Sequence, residues 1–116
     1  MIRVKNKRKS KPEKNDIYIG RGSVLGNPFT HLEIDKTKAE FHCSSREESI
    51  FSYEKYIISK IENKDQEICK ELNRIFYLAL KQDINLVCFC KPKSCHGDII
   101  KRILDEKLNH LNNLFS

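Results

Sequence analysis

The chain predicts a small single-domain α/β fold, a short and mainly parallel sheet flanked by about three helices. Two β-rich runs, "DIYIG" at 16–20 and "INLVCFC" at 84–90, are separated by two stretches with helical apolar spacing, and a third such stretch follows the second run. A parallel neighbour is reached only by a crossover, so strands separated by helices predict parallel pairing. At 116 residues and 39% hydrophobic, the chain fits one compact core of modest size.

Ile2–Val4 reads as a short first strand. Residues 1–14 hold seven basic residues against Glu13 alone, which accounts for the whole net charge of +6. The rest of the chain is neutral. Residues 1–15 are therefore a basic N-terminal arm or short strand, and 16–116 a single α/β domain. Such an arm suits weak nucleic-acid binding through phosphate contacts. It also suits a solvated loop beside an edge strand, where lysines discourage further pairing.

Asp16–Gly20 is β-rich and stops at glycine. "RGSVLGNPF" after it is loop chemistry, and residues 30–43 show no clear period. Ser45 with Glu48 forms a capping box, opening a helix with Ile50, Tyr53, Ile57 and Ile61 on one stripe. Asp65 opens a second helix with Ile68, Leu72, Ile75, Phe76 and Ala79. The continuous apolar run 84–90 suits a strand covered on both faces. A loop at 91–97 then leads into a third helix carrying Ile99, Ile100, Ile103, Leu104, Leu108 and Leu111. This order fits a Rossmann-like arrangement of three layers or two. It also places the loops after residues 20 and 90 at the same sheet edge, the carboxyl edge where open α/β sheets bind ligands.

Gly20, Gly22 and Gly26 give G-x-G-x-x-x-G, one residue too long for the dinucleotide fingerprint, and no G-K-[ST] follows. What remains is a loop whose backbone can approach an anion closely. Arg21 offers a bidentate fork for phosphate, as a surface side chain supporting little of the core. Asn27, ahead of Pro28, is held extended with its amide in a fixed direction.

The segment "CFCKPKSCHGD" at 88–98 admits three readings. Cys88, Cys90, Cys95 and His96 have the right number and type for zinc, with His42 and Cys43 as substitutes. Their C-x-C and C-H spacings fit a zinc knuckle poorly, so no metal is expected. Cys95 before a helix, with His96 and Asp98 beside it, suits a nucleophilic thiol. Finally, Cys95, His96, Gly97 and Asp98 suit a helix start that binds a ligand, its amides free for an anion and Gly97 adopting an unusual backbone conformation. Cys88 and Phe89 are then core, Cys69 belongs to the core or its margin, and His31 and His110 are surface residues.

"YIGRGSVLGNPF", "SREESIFSYEKYI" and "CFCKPKSCHGDII" together resemble the domain-of-unknown-function family 4326, with its I-G-R…G-N-P-F segment, S/T-R-E-E helix start and C-x-C-x-P-x-x-C-H-G-D ending. The resemblance covers about residues 16–104 and implies a small domain of bacteria and their viruses. It matches Gly20, Arg21, Gly26, Asn27, Pro28, Cys90, Cys95, His96, Gly97 and Asp98, and implies no activity.

These residues lead to an expectation of binding, to sense, sequester or process a small phosphate- or ribose-bearing, nucleotide-derived ligand at the carboxyl edge. Gly20, Arg21, Gly22, Gly26, Asn27 and residues 95–98 would contact it, without a cofactor. Two alternatives stand beside this: a nucleotide-processing hydrolase or transferase using Cys95, His96 or Asp98, and a zinc-stabilised nucleic-acid-binding module. No run of about 18 apolar residues occurs, which argues against a membrane span. The N-terminus lacks a secretory apolar segment, and five cysteines, an odd number with three crowded into one segment, suit a reducing cytoplasm.

Overall fold

Five consecutive buried residues, Ile84–Cys88 (β5), form the strand around which the other elements are arranged. In the computed structural model, which describes residues 1–30, 41–42, 45–89 and 95–115, β5 is flanked by Ile2–Asn6 (β1) and Asp16–Tyr18 (β2). The sheet order is β1-β5-β2, and both pairings are parallel. The register sets Ile2 beside Ile84 and Ile17 beside Leu86. Two-residue strands Phe29–Thr30 (β3) and Phe41–His42 (β4) make a separate parallel pair. The sequence reading stopped the first strand at Val4; it runs to Asn6.

Helices Arg46–Glu62 (α1) and Gln66–Lys81 (α2) lie between β4 and β5, and His96–Phe115 (α3) follows β5. Both expected caps are present: Ser45 Oγ accepts from Glu48 N–H, and Asp65 Oδ1 from Ile68 N–H. Each N-cap removes an unpaired donor and contributes about 1 kcal/mol. The stripes read from sequence bury Tyr53 and Ile57 on α1, Ile68, Leu72, Ile75 and Phe76 on α2, and Ile99, Ile100 and Leu104 on α3.

Strand alternation decides which side faces the helices. Ile2, Val4, Ile84, Leu86, Cys88 and Ile17 pack into one core with them. Arg3, Lys5, Asn85, Val87, Asp16 and Tyr18 alternate onto the opposite face. There the basic stretch 7–15 returns from the end of β1 to the start of β2, because β1 and β2 run the same way. Lys5 on that face pairs with Asp16 at 2.8 Å and Glu13 at 3.3 Å. Thus β5 is covered on both faces as its composition requires, by helices on one and a charged crossover on the other. Among the described residues no helix is long and apolar enough to cross a membrane.

Candidate functional site

The three parallel strands end at one edge, and the glycine loop begins there. Ile19 N–H still donates to Val87 O at 3.0 Å, tying the loop's base to β5. Beyond it the chain makes two short turns, with Ser23 N–H donating to Gly20 O and Gly26 N–H to Ser23 O. Gly22 has φ 92°, a left-handed conformation that glycine adopts without strain. A Cβ on Gly26 would lie 2.7 Å from Gly20 O, so close backbone packing excludes a side chain.

Helix α1 fastens this loop from below. Tyr53 Oη donates to Leu25 O at 2.7 Å, with the ring fully buried. Burial, with a smaller contribution from Tyr56, pushes the Tyr53 hydroxyl well above the usual tyrosine range, so it stays a neutral donor. One turn earlier, Ser49 Oγ accepts from Asn27 Nδ2 at 3.0 Å and donates to Phe29 O at 3.1 Å. Asn27 Oδ1 accepts from Phe29 N–H at 2.9 Å. Arg21 donates from one guanidinium nitrogen to Asn27 O and from the other to Phe29 O. The sequence reading took Arg21 for a surface side chain with little structural part. Its fork instead spans two backbone carbonyls and holds the loop's far end closed.

The start of α3 meets the same loop. His96 is buried, and its Nε2 lies 2.6 Å from Ile19 O. A carbonyl only accepts, so this nitrogen carries the proton. The ring also meets Tyr53 edge to face at 5.0 Å. The helix begins at His96, earlier than the expected loop end, so Gly97 lies in its first turn. Gly97 is not in the left-handed region, contrary to expectation. A Cβ there would lie 2.9 Å from Val4 Cγ1 and 3.0 Å from Ile19 Cδ1, so any larger residue would force those side chains to shift. Asp98 Oδ2 accepts from Cys95 N–H at 3.2 Å, the reciprocal half of a capping box.

Cys95 is 2% exposed, and its Sγ lies 3.3 Å from that of Cys88, also buried. Neither is in a disulfide, nor is half-buried Cys69. Among the described residues no group of three or more His, Cys, Asp or Glu can hold a metal ion. Cys43, Cys90, His31 and the His42 side chain lie outside the described residues, and His110 is exposed.

Solvent reaches the outer side of the glycine loop. An open depression of about 380 Å³ is bordered there by Arg21, Gly22, Ser23, Asn27, Tyr56 and Glu67. The structure therefore brings the glycine loop and residues 95–98 together, but in layers. The loop forms the surface, and Cys95, His96 and Gly97 lie buried behind it. Sequence reasoning missed Ser49 and the hydroxyl role of Tyr53. The available signal was a tyrosine on an apolar stripe, since a buried phenol needs an acceptor. It also missed Asn6, which is buried at the end of β1; its Nδ2 donates to Phe89 O and its Oδ1 accepts from Arg8 N–H.

The sequence matches the model of a family described as a domain of unknown function over residues 2–106. It is also similar to the "Uncharacterized 12.4 kDa protein in nrdA-td intergenic region" of Enterobacteria phage T4. The two are 36% identical over 105 residues, covering 90% of this chain and 79% of the phage protein. No solved structure matches. The family match takes in β1 as well as the glycine loop and the start of α3, and on this extent the chain belongs to the DUF4326 family.

Proposed function

We propose that the domain binds a small phosphate- or ribose-bearing molecule, nucleotide-derived in character, in the depression over the glycine loop. One observation carries the reading. The loop stands at the carboxyl edge of parallel strands and is braced by a buried hydrogen bond from Tyr53 and part-buried ones from Ser49 and Arg21. Preorganisation of that kind lowers the cost of ordering a site on binding. In this reading the phosphate lies against the backbone around Gly22, within the field of the Arg21 charge. Glu67 accepts from ligand hydroxyls. Cys95, His96 and Asp98 support the loop from behind, and burial of the first two favours binding over chemistry by these groups. The setting is cytoplasmic, where Cys69, Cys88 and Cys95 remain thiols.

Calorimetric titration of the protein with nucleoside mono-, di- and triphosphates tests this, beside native mass spectrometry of protein purified from cells. Expected is saturable binding of at least one nucleotide, weakened in Glu67→Ala without a change in melting temperature. Absence of binding across the panel, with no copurifying small molecule, overturns the reading.

A further inference from the structure

Beside the glycine loop, the end of the sheet carries two exposed aromatic rings with cations resting on them. Tyr18, closing β2, is 38% exposed; Phe89 lies just past β5, which ends at Cys88, and is 44% exposed rather than part of the core as its apolar run suggests. Their rings meet edge to face, 6.0 Å apart at 67°. Lys7 Nζ lies 5.1 Å from the Tyr18 ring centroid, and Arg8 Cζ lies 5.1 Å from that of Phe89. The arrangement is built from below by Asn6, whose buried amide joins Phe89 O to Arg8 N–H. Lys7 N–H donates to Cys88 O at 2.8 Å, fixing the same turn to β5.

We infer that Tyr18, Phe89, Lys7 and Arg8 form a stacking platform for single-stranded nucleic acid, on residues outside the depression described above. The rings supply faces for bases, and the cations supply phosphate contacts on a turn rich in further positive charge, Lys9 and Lys11. Exposed cation–π contacts are weak, so both cations can move from ring to phosphate as a strand arrives. The angle between the rings selects the partner. Bases stacked on both faces must splay apart, which a single strand allows and a duplex resists. An acidic protein would satisfy the cations but leave the two rings without stacking partners.

Fluorescence anisotropy with a labelled oligothymidine of about 12 nucleotides, within the span of one small binding fold, tests this. Tyr18→Leu and Phe89→Leu are each expected to weaken binding by roughly 5- to 150-fold. Tyr18→Phe keeps the ring and retains affinity, as does Tyr77→Leu, which removes an exposed ring on α2. The pair Lys7→Gln and Arg8→Gln should reduce the log–log salt slope by about 1.4. Thermal melts of each variant establish folding. Wild-type affinity in both leucine variants overturns the platform. So does a duplex bound as tightly as the single strand, or no oligonucleotide binding by the wild type.

Discussion

The imidazole of His96 and the carbonyl of Ile19 are 77 positions apart in sequence and 2.6 Å apart in space. This contact joins the first turn of α3 to the last residue before the glycine loop, and it fixes the ring's tautomer. Replacement by alanine strands a buried carbonyl and leaves a gap beside Tyr53. His96→Ala should lower stability by about 2 kcal/mol or more, from a lost buried hydrogen bond and lost packing. His96→Gln should recover part of it. Urea unfolding midpoints check this, and an unchanged midpoint in the alanine variant would show that the bond carries no stability.

Arg21 spans the carbonyls of Asn27 and Phe29, so its loss leaves the loop's far end open. Arg21→Ala should cost about 1.5–3 kcal/mol, the range for hydrogen bonds from a charged group. Arg21→Lys should regain less than half, because a single ammonium does not reproduce a planar fork. Thermal melts of the ligand-free protein measure this. A melting point equal to wild type in Arg21→Ala would refute the clamp.

Gly97 tests helix-to-sheet packing. Gly97→Ala improves intrinsic helix propensity yet places a methyl 2.9 Å from Val4 Cγ1. Overpacking of this sort costs about 1–3 kcal/mol, enough to outweigh the helix gain of roughly 1 kcal/mol. Adding Val4→Ala should restore part of the loss despite its own cavity. A double-mutant cycle with no coupling between the two positions would rule out the contact.

The acid limb of stability should depend on Asp16. Partial burial pushes its carboxyl up, but hydrogen bonds from Lys5, the Glu13 N–H and Asn85 outweigh this and hold it below its usual 3.8. A depressed carboxylate stabilises the fold fully above its unfolded value and loses that contribution as pH falls through the folded one. Lys5, raised chiefly by the Asp16 hydrogen bond, gives up its contribution only as pH climbs above 10.5. Asp16→Asn should therefore flatten the stability profile below about pH 4. Urea titrations at a series of acid pH values check it. An unaltered slope would assign acid sensitivity to other carboxylates.

Much of the scaffold was legible because its signals are local. Ser45 and Asp65 cap the helices they open, and the stripes through Tyr53, Ile75 and Ile100 face the core. Parallel order followed from helices lying between strands. The site was legible in position but not in depth. A glycine, arginine or histidine in a motif looks the same in sequence whether it faces ligand or backbone. Among the described residues the hydrogen-bond partners of Arg21, Asn27 and His96 include main-chain carbonyls, a main-chain amide and Ser49, and backbone partners leave no residue-type signal. Gly97 was assigned to conformational freedom because its real constraint, Val4, is 93 positions earlier.

The pairing of β1 with β5 bears on when the fold can form. Ile2 aligns with Ile84, and the amino group of Met1 binds Asp83 at 2.8 Å. The first strand must therefore wait for the last one. During synthesis α1 and α2 can meet one another early, while Ile2 and Val4 stay exposed until residues 84–88 emerge. Closing so long a loop carries an entropic cost repaid only when the sheet zips up, so sheet formation should limit the folding rate. Residues fused directly ahead of Met1 would remove the charged amine that Asp83 binds and crowd this late step.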